Sequence, residues 1–176
     1  MAEELLKIAI TGPESTGKST LAQQLAAHYH TVWVPEFART YIADLPGKYT
    51  AQDVEKIARG QLTNYSEALP KAHHLLFADT DLLVIKIWMQ HAFGFCPDWI
   101  LAALAQQDFA LYLLMNIDLP WEEDPQREHP HLRQFFYDWY KRELVQYGFR
   151  FAEISGSSEV RKQNAVAAID KFLKTN

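Results

Sequence analysis

Apolar residues fall along this chain in two alternating rhythms. Residues 5–11 (LLKIAIT), 31–35 (TVWVP), 75–78 (LLFA), 109–117 (FALYLLMNI) and 149–154 are short runs rich in β-branched and aromatic side chains, a pattern that predicts strands. Between them the apolar positions recur every three to four residues. That spacing predicts helices over 19–30, from 37 onward, 50–69, 82–93, 98–107, 132–147 and 157–173. Thr50 reads as a helix cap followed by an acidic first turn. Strand alternating with helix is the pattern of an α/β fold built on a parallel sheet, whose ligands gather at the carboxyl ends of the strands.

The first strand runs directly into Gly12 to Ser19, GPESTGKS. Strand, glycine-bounded turn, lysine, hydroxyl and helix are the parts of a phosphate-binding P-loop in the order that loop requires. Gly12 and Gly17 let the backbone curl so that successive N–H groups point at an anion. The helix opening at Lys18 adds the positive end of its dipole. Lys18 can reach the β- and γ-phosphates of a nucleoside triphosphate, and the Ser19 hydroxyl is placed to ligate Mg²⁺. Thr20 is expected to begin the buried side of the helix.

Two further strand ends carry carboxylates on the same edge. Glu36 ends the second run, and Arg39 lies one helical turn on, either facing the cleft with it or pairing with it locally. The third run ends in Asp79-Thr80-Asp81. A strand-end carboxylate opposite Ser19 is how P-loop proteins hold the metal, and alternation sets Asp79 and Asp81 on one side unless the turn intervenes. One of the two can serve the metal while the other caps the next helix. The candidate general base is Glu36 or one of these aspartates. Trp88, Met89, His91, Phe93 and Phe95 read as core packing, with a ring-stacking substrate wall as the alternative. Gln61 reads as solvated surface. His73 and His74 point opposite ways and form no shared metal site.

Residues 118–131 (DLPWEEDPQREHPH) are too polar for core and predict a lid over the cleft, extending over about 119–133. Arg127 and Arg133, and less directly Arg142, can reach phosphates there; otherwise they are arginines on a solvated loop and helix.

The 176 residues, 48% hydrophobic and 13% aromatic, suffice for one core and one domain. A net charge of −5 argues against a protein that coats nucleic acid or a membrane surface, so phosphate binding must be local. Cys96 is the only cysteine, which excludes an intrachain disulfide and a cysteine-based zinc cage and fits a reducing compartment. The N-terminus is acidic and lacks a signal peptide's basic start and apolar stretch. A soluble, cytoplasmic protein is expected.

GPESTGKST, PEFARTY, ARGQ, FADTD and LPWEEDPQR, in this order, resemble the ribosylnicotinamide kinase domain of the NadR family. The resemblance implies a P-loop NTPase three-layer sandwich of the nucleoside-kinase type, with a five-stranded parallel sheet, helices on both faces and a lid. It implies ATP and Mg²⁺ as cofactors and the 5′-hydroxyl of nicotinamide riboside as phosphoryl acceptor. Mapped by motif, Gly12, Pro13, Glu14, Ser15, Thr16, Gly17, Lys18, Ser19 and Thr20 form the ATP loop. Glu36 and Arg39 are the acceptor-side pair, Asp79 and Asp81 the strand-end acids, and Trp121 to Arg127 the lid. Lys18, Glu36, Asp79, Asp81 and Arg127 are then the catalytic candidates. Glu36, Arg39, Asp81 and Trp88 are the substrate-side candidates, and Ser19 with Asp79 the metal pair. Pro125 stands where related domains carry Gly, which stiffens the lid. No adenylyltransferase or DNA-binding segment is recognisable. Rival readings are a kinase for another nucleoside or a vitamin-like alcohol, a nucleotide-driven switch or ATPase, and a binding module without turnover. A homo-oligomer is compatible with all of them.

Overall fold

A computed structural model describes residues 4–175; the first three residues of the acidic start lie outside the described residues. In chain order the strands are β1 (Leu6–Thr11), β2 (Trp33–Val34), β3 (Leu75–Asp79), β4 (Leu111–Met115) and β5 (Phe151–Ile154). The helices are α1 (Lys18–His28), α2 (Phe37–Ala43), α3 (Ala51–Ala68), α4 (Leu82–Phe93), α5 (Asp98–Ala105), α6 (Arg133–Tyr147) and α7 (Ser158–Lys174). The five strands form one sheet in the order β2-β3-β1-β4-β5, and every pairing is parallel. The expected three-layer α/β architecture is present.

Side-chain alternation divides the sheet between two cores. Ile8 and Ile10 of β1, Phe77 of β3 and Leu113 of β4 pack with Leu21 and Leu25 of α1 and Ile169 of α7. Ala9, Tyr112 and Leu114 face the other way, onto Val54 and Ile57 of α3, Leu83 of α4 and Leu144 of α6. Because β1, β3 and β4 are covered on both faces, they read as largely apolar runs, interrupted in β1 by Lys7.

Two details differ from the sequence expectations for identifiable reasons. The second run keeps only Trp33 and Val34 as strand. Thr31 spends its hydroxyl across the edge, donating to Leu75 O at 2.6 Å and accepting from His73 N at 3.0 Å, and Pro35 has no N–H to continue the ladder. Thr20 is exposed, because α1 turns Leu21, Ala22, Leu25 and Ala26 to the sheet; it lines the cleft instead.

The capping box at Thr50 and Asp53 is formed as the sequence suggests, with the Thr50 side chain accepting from Asp53 N at 3.3 Å and Asp53 accepting from Thr50 N at 2.8 Å. Further along α3, Gly60 lets Phe37 of α2 lie against the helix. A Cβ at position 60 would fall 2.3–2.5 Å from the Phe37 ring, so α2 docks only because no side chain is there.

Candidate functional site

The carboxyl ends of β1, β2 and β3 open into a cleft of about 1170 Å³. Its floor is residues 12–20. Gly12 and Gly17 hold φ of 133° and 79°, as the anion-nest reading requires, and a Cβ on Gly12 would meet the Met115 backbone at 3.1 Å. Thr16 Oγ1 donates to Pro13 O at 2.8 Å and closes the loop. Lys18 curls into it, donating from Nζ to Gly12 O at 3.0 Å and Pro13 O at 2.7 Å. Burial pushes the ammonium below its ordinary pKa, opposed by the negative charges of Glu36, Asp79 and Glu14.

Beside the lysine, Ser19 Oγ donates to Asp79 Oδ2 at 2.5 Å. Asp79 is buried, and its Oδ1 has no hydrogen-bond partner among the described residues. Burial first, then the neighbouring Glu36 charge, pushes this carboxyl up to about 6, against the pull of Ser19, Lys18 and Arg39. A hydroxyl joined to a carboxylate with one free oxygen is a donor set for a hard cation. Among the described residues no three His, Cys, Asp or Glu gather as a cage.

The two strand-end aspartates part company. Thr80 between them sits at φ 78°, and this left-handed turn breaks the alternation that would have set both on one side. Asp81 caps α4, accepting from Leu83 N at 3.1 Å and from Gln107 Nε2 at 3.0 Å. It lines a separate cavity of about 190 Å³ with Tyr65 and Thr80, away from Lys18. Its expected place on the acceptor side is therefore not where the structure puts it.

Glu36 is the residue before α2, makes no capping bond with its side chain, and lines the cleft. Arg39 also lines the cleft, yet its partner is not Glu36: it donates to Asp124 Oδ2 at 2.8 Å. Trp88 is both core and wall, packed against the core cluster while bordering the cleft with Tyr49, whose ring meets it edge-on at 4.9 Å. Met89 is fully buried.

Gln61 is the clearest correction to the sequence reading. It is 5% exposed and bonded to Phe37 N, Pro35 O and Asp79 O. A lone polar residue in an amphipathic helix gives no sign of this, because its partners are backbone groups distant in sequence.

The lid lies across the loop. Glu14 and Ser15, expected among the phosphate ligands, turn their side chains to it: Glu14 Oε2 accepts from Glu128 N and His129 N, each at 3.2 Å, and Ser15 Oγ accepts from Glu122 N at 2.9 Å. Arg133 props the lid, donating to Leu119 O at 2.8 Å and Ser15 O at 3.0 Å. On the far side Asp124 is held by Arg39, and Glu128 accepts from Tyr49 Oη at 2.9 Å. Arg127 borders the cleft, donating to Glu122 O at 2.6 Å, while Arg142 is exposed on α6 and takes no part. Arg161 lines the cleft unforeseen, held by Asp118 and by Gly156 O at 2.7 Å.

Glu14→Ala removes two charge-assisted bonds from the lid. It is expected to weaken nucleotide binding about 3- to 10-fold and to speed proteolysis within 119–132, read by calorimetry and limited digestion.

The AAA domain profile matches residues 7–161, most of the chain. The chain belongs to the AAA domain family. It is 32% identical over 121 residues to the trifunctional NAD biosynthesis/regulator protein NadR of Escherichia coli (strain K12), over 66% of this chain and 30% of that protein. It therefore spans less than a third of that relative's length. Among solved structures, NadR in complex with NR superposes with a TM-score of 0.79 at 20% identity, covering 95% of this chain and 49% of the other. NadR in complex with NAD and AMP-PNP gives 0.74 at 21% identity, with the same coverage. These structures share the fold. The sequence match makes the kinship to NadR direct.

Proposed function

We propose that this member of the AAA domain family is an ATP-dependent phosphotransferase acting on a nucleoside, with the 5′-hydroxyl of nicotinamide riboside as acceptor. One observation carries the reading: Lys18 and the pair of Ser19 with buried Asp79 stand at one end of a cleft that continues past Glu36 into a wall bearing Tyr49 and Trp88. The first end suits the phosphates of ATP, and the second has room for another small molecule. Aromatic faces beside carboxylates favour a cationic ring such as a pyridinium. Kinship to a NAD biosynthesis protein, and a solved relative in complex with NR, support that acceptor.

Each residue then has a task. Lys18 and the loop amides bind the phosphates and offset charge as the γ-phosphoryl moves. Ser19 and Asp79 would hold Mg²⁺, which neutralises the phosphate oxygens when bound. With Asp79 engaged there and Asp81 capping α4, Glu36 is the carboxylate left to accept the hydroxyl proton. Arg127 adds positive charge from the lid, and the lid excludes water. The products are ADP and the nucleoside 5′-phosphate. No helix of the described residues is long and apolar enough to cross a membrane.

The test is Mg²⁺-dependent ATP consumption against nicotinamide riboside, purine and pyrimidine nucleosides and thiamine-like alcohols. Turnover that depends on nicotinamide riboside is expected. Turnover with a different acceptor alone would move the assignment to that compound, and acceptor-independent hydrolysis would favour a nucleotide-driven switch.

A further inference from the structure

We propose that Gln61 is the positioning residue of the acceptor half of the site, holding Glu36 in place by gripping the backbone on both sides of it. Its Oε1 accepts from Phe37 N at 2.8 Å, and its Nε2 donates to Pro35 O at 3.3 Å and to Asp79 O at 3.5 Å. The residues before and after Glu36 are thus tied through one carboxamide to the end of β3. The inference rests on the phosphotransferase reading above.

The elements flanking Glu36 are short. The strand leading into it is two residues long and sits at the sheet edge, its ladder register to β3 running through Trp33 and Val34. The helix leaving it has seven residues and no side-chain cap. An edge strand and a two-turn helix fix their junction poorly without a further anchor. The anchor comes from α3, an 18-residue helix with a closed capping box. Adjacent positions of α3 act together: Gly60 admits the Phe37 ring, and Gln61 bonds the Phe37 amide. Buried and with its carboxamide committed to backbone partners, Gln61 is poorly suited to touching substrate.

Loss of the carboxamide leaves the Phe37 N–H and the Pro35 carbonyl to find water or shift, and Glu36 shifts with them. Lys18 and Ser19 are held by α1 and Asp79 by the β1–β3 ladder, with Gln61 reaching only the Asp79 carbonyl, at 3.5 Å. The consequence is selective: the acceptor side loosens while the ATP side stays.

The experiment compares wild type with Gln61→Leu and with Gln61→Asn, which keeps a carboxamide but stands one methylene short of its three backbone partners. Amide hydrogen exchange at Phe37 is expected to speed up at least roughly 10-fold in Gln61→Leu, with α1 and β3 amides unchanged. The kcat is expected to fall roughly 10- to 100-fold and the acceptor KM to rise, while the ATP Kd stays within about 2-fold. Gln61→Asn should fall between, and serves alone if Gln61→Leu does not fold. Unchanged Phe37 exchange, or a kcat and acceptor KM within about 2-fold of wild type, would overturn the proposal, as would an ATP affinity that falls along with kcat. Exchange is read without any substrate. A wild type silent towards every acceptor would therefore sink the phosphotransferase reading while the grip of Gln61 on α2 is still measured.

Discussion

Lys18→Ala is expected to lower kcat/KM for ATP by about 10³-fold or more while leaving the fold intact. Catalysis of phosphoryl transfer is mostly positioning and charge neutralisation, and removal of one preorganised donor commonly costs two to three orders of magnitude. Lys18 is also the cation set among Glu14, Glu36 and Asp79, so its loss leaves three carboxylates facing a polyanionic ligand. Its two bonds to Gly12 O and Pro13 O show the ammonium held over the nest, with its stem anchored at the start of α1. Lys18→Arg should rescue little, because a planar fork does not replace a compact ammonium at this spot. Steady-state kinetics with circular dichroism as the folding control make the measurement. A drop of less than about 10-fold would contradict the role given to this residue.

Asp79→Asn should move activity and stability in opposite directions. Turnover is expected to fall by about 10²-fold or more, since a neutral amide is a poor ligand for Mg²⁺ beside Ser19. The metal-free variant is nevertheless expected to be more stable than metal-free wild type, by about 1–3 kcal/mol at pH 7.5. The folded carboxyl titrates at about 6, above its ordinary 3.8, because burial and the Glu36 charge disfavour ionisation. Holding the charge therefore costs the folded state increasingly as pH rises from about 4 to about 6, and fully above that. The stability advantage of the variant should accordingly be complete above pH 6 and vanish as pH falls towards 4. Thermal unfolding in chelator across pH 4–8 reads this directly. A variant less stable than wild type at pH 7.5 would show that the Ser19 bond and the Lys18 charge outweigh the burial of Asp79.

The fold was legible because its signals are local. Each buried strand of the sheet's centre is an apolar run, and β1 delivers the loop glycines at the position where φ must be positive. The strand-end carboxylates Glu36 and Asp79 were legible for the same reason. What was hidden depends on geometry that spacing does not carry. One left-handed residue, Thr80, turns Asp81 out of the site. Gln61 looked like solvated surface because its partners, at residues 35, 37 and 79, lie 18 to 26 positions away. Glu14 and Ser15 sit inside the P-loop motif, yet they bind the lid, a contact made across more than 100 residues of chain. Arg161 carried no pattern at all in the closing helix.

The proposed reaction moves the γ-phosphoryl of ATP to a nucleoside hydroxyl within this cleft. Transfer of label from γ-labelled ATP to nicotinamide riboside, followed by chromatography of the phosphorylated product, tests it most directly. Wild type with Mg²⁺ is expected to yield labelled nucleoside 5′-phosphate, and Lys18→Ala or Asp79→Asn almost none. Label appearing only as inorganic phosphate, at the same rate with and without acceptor, would contradict it.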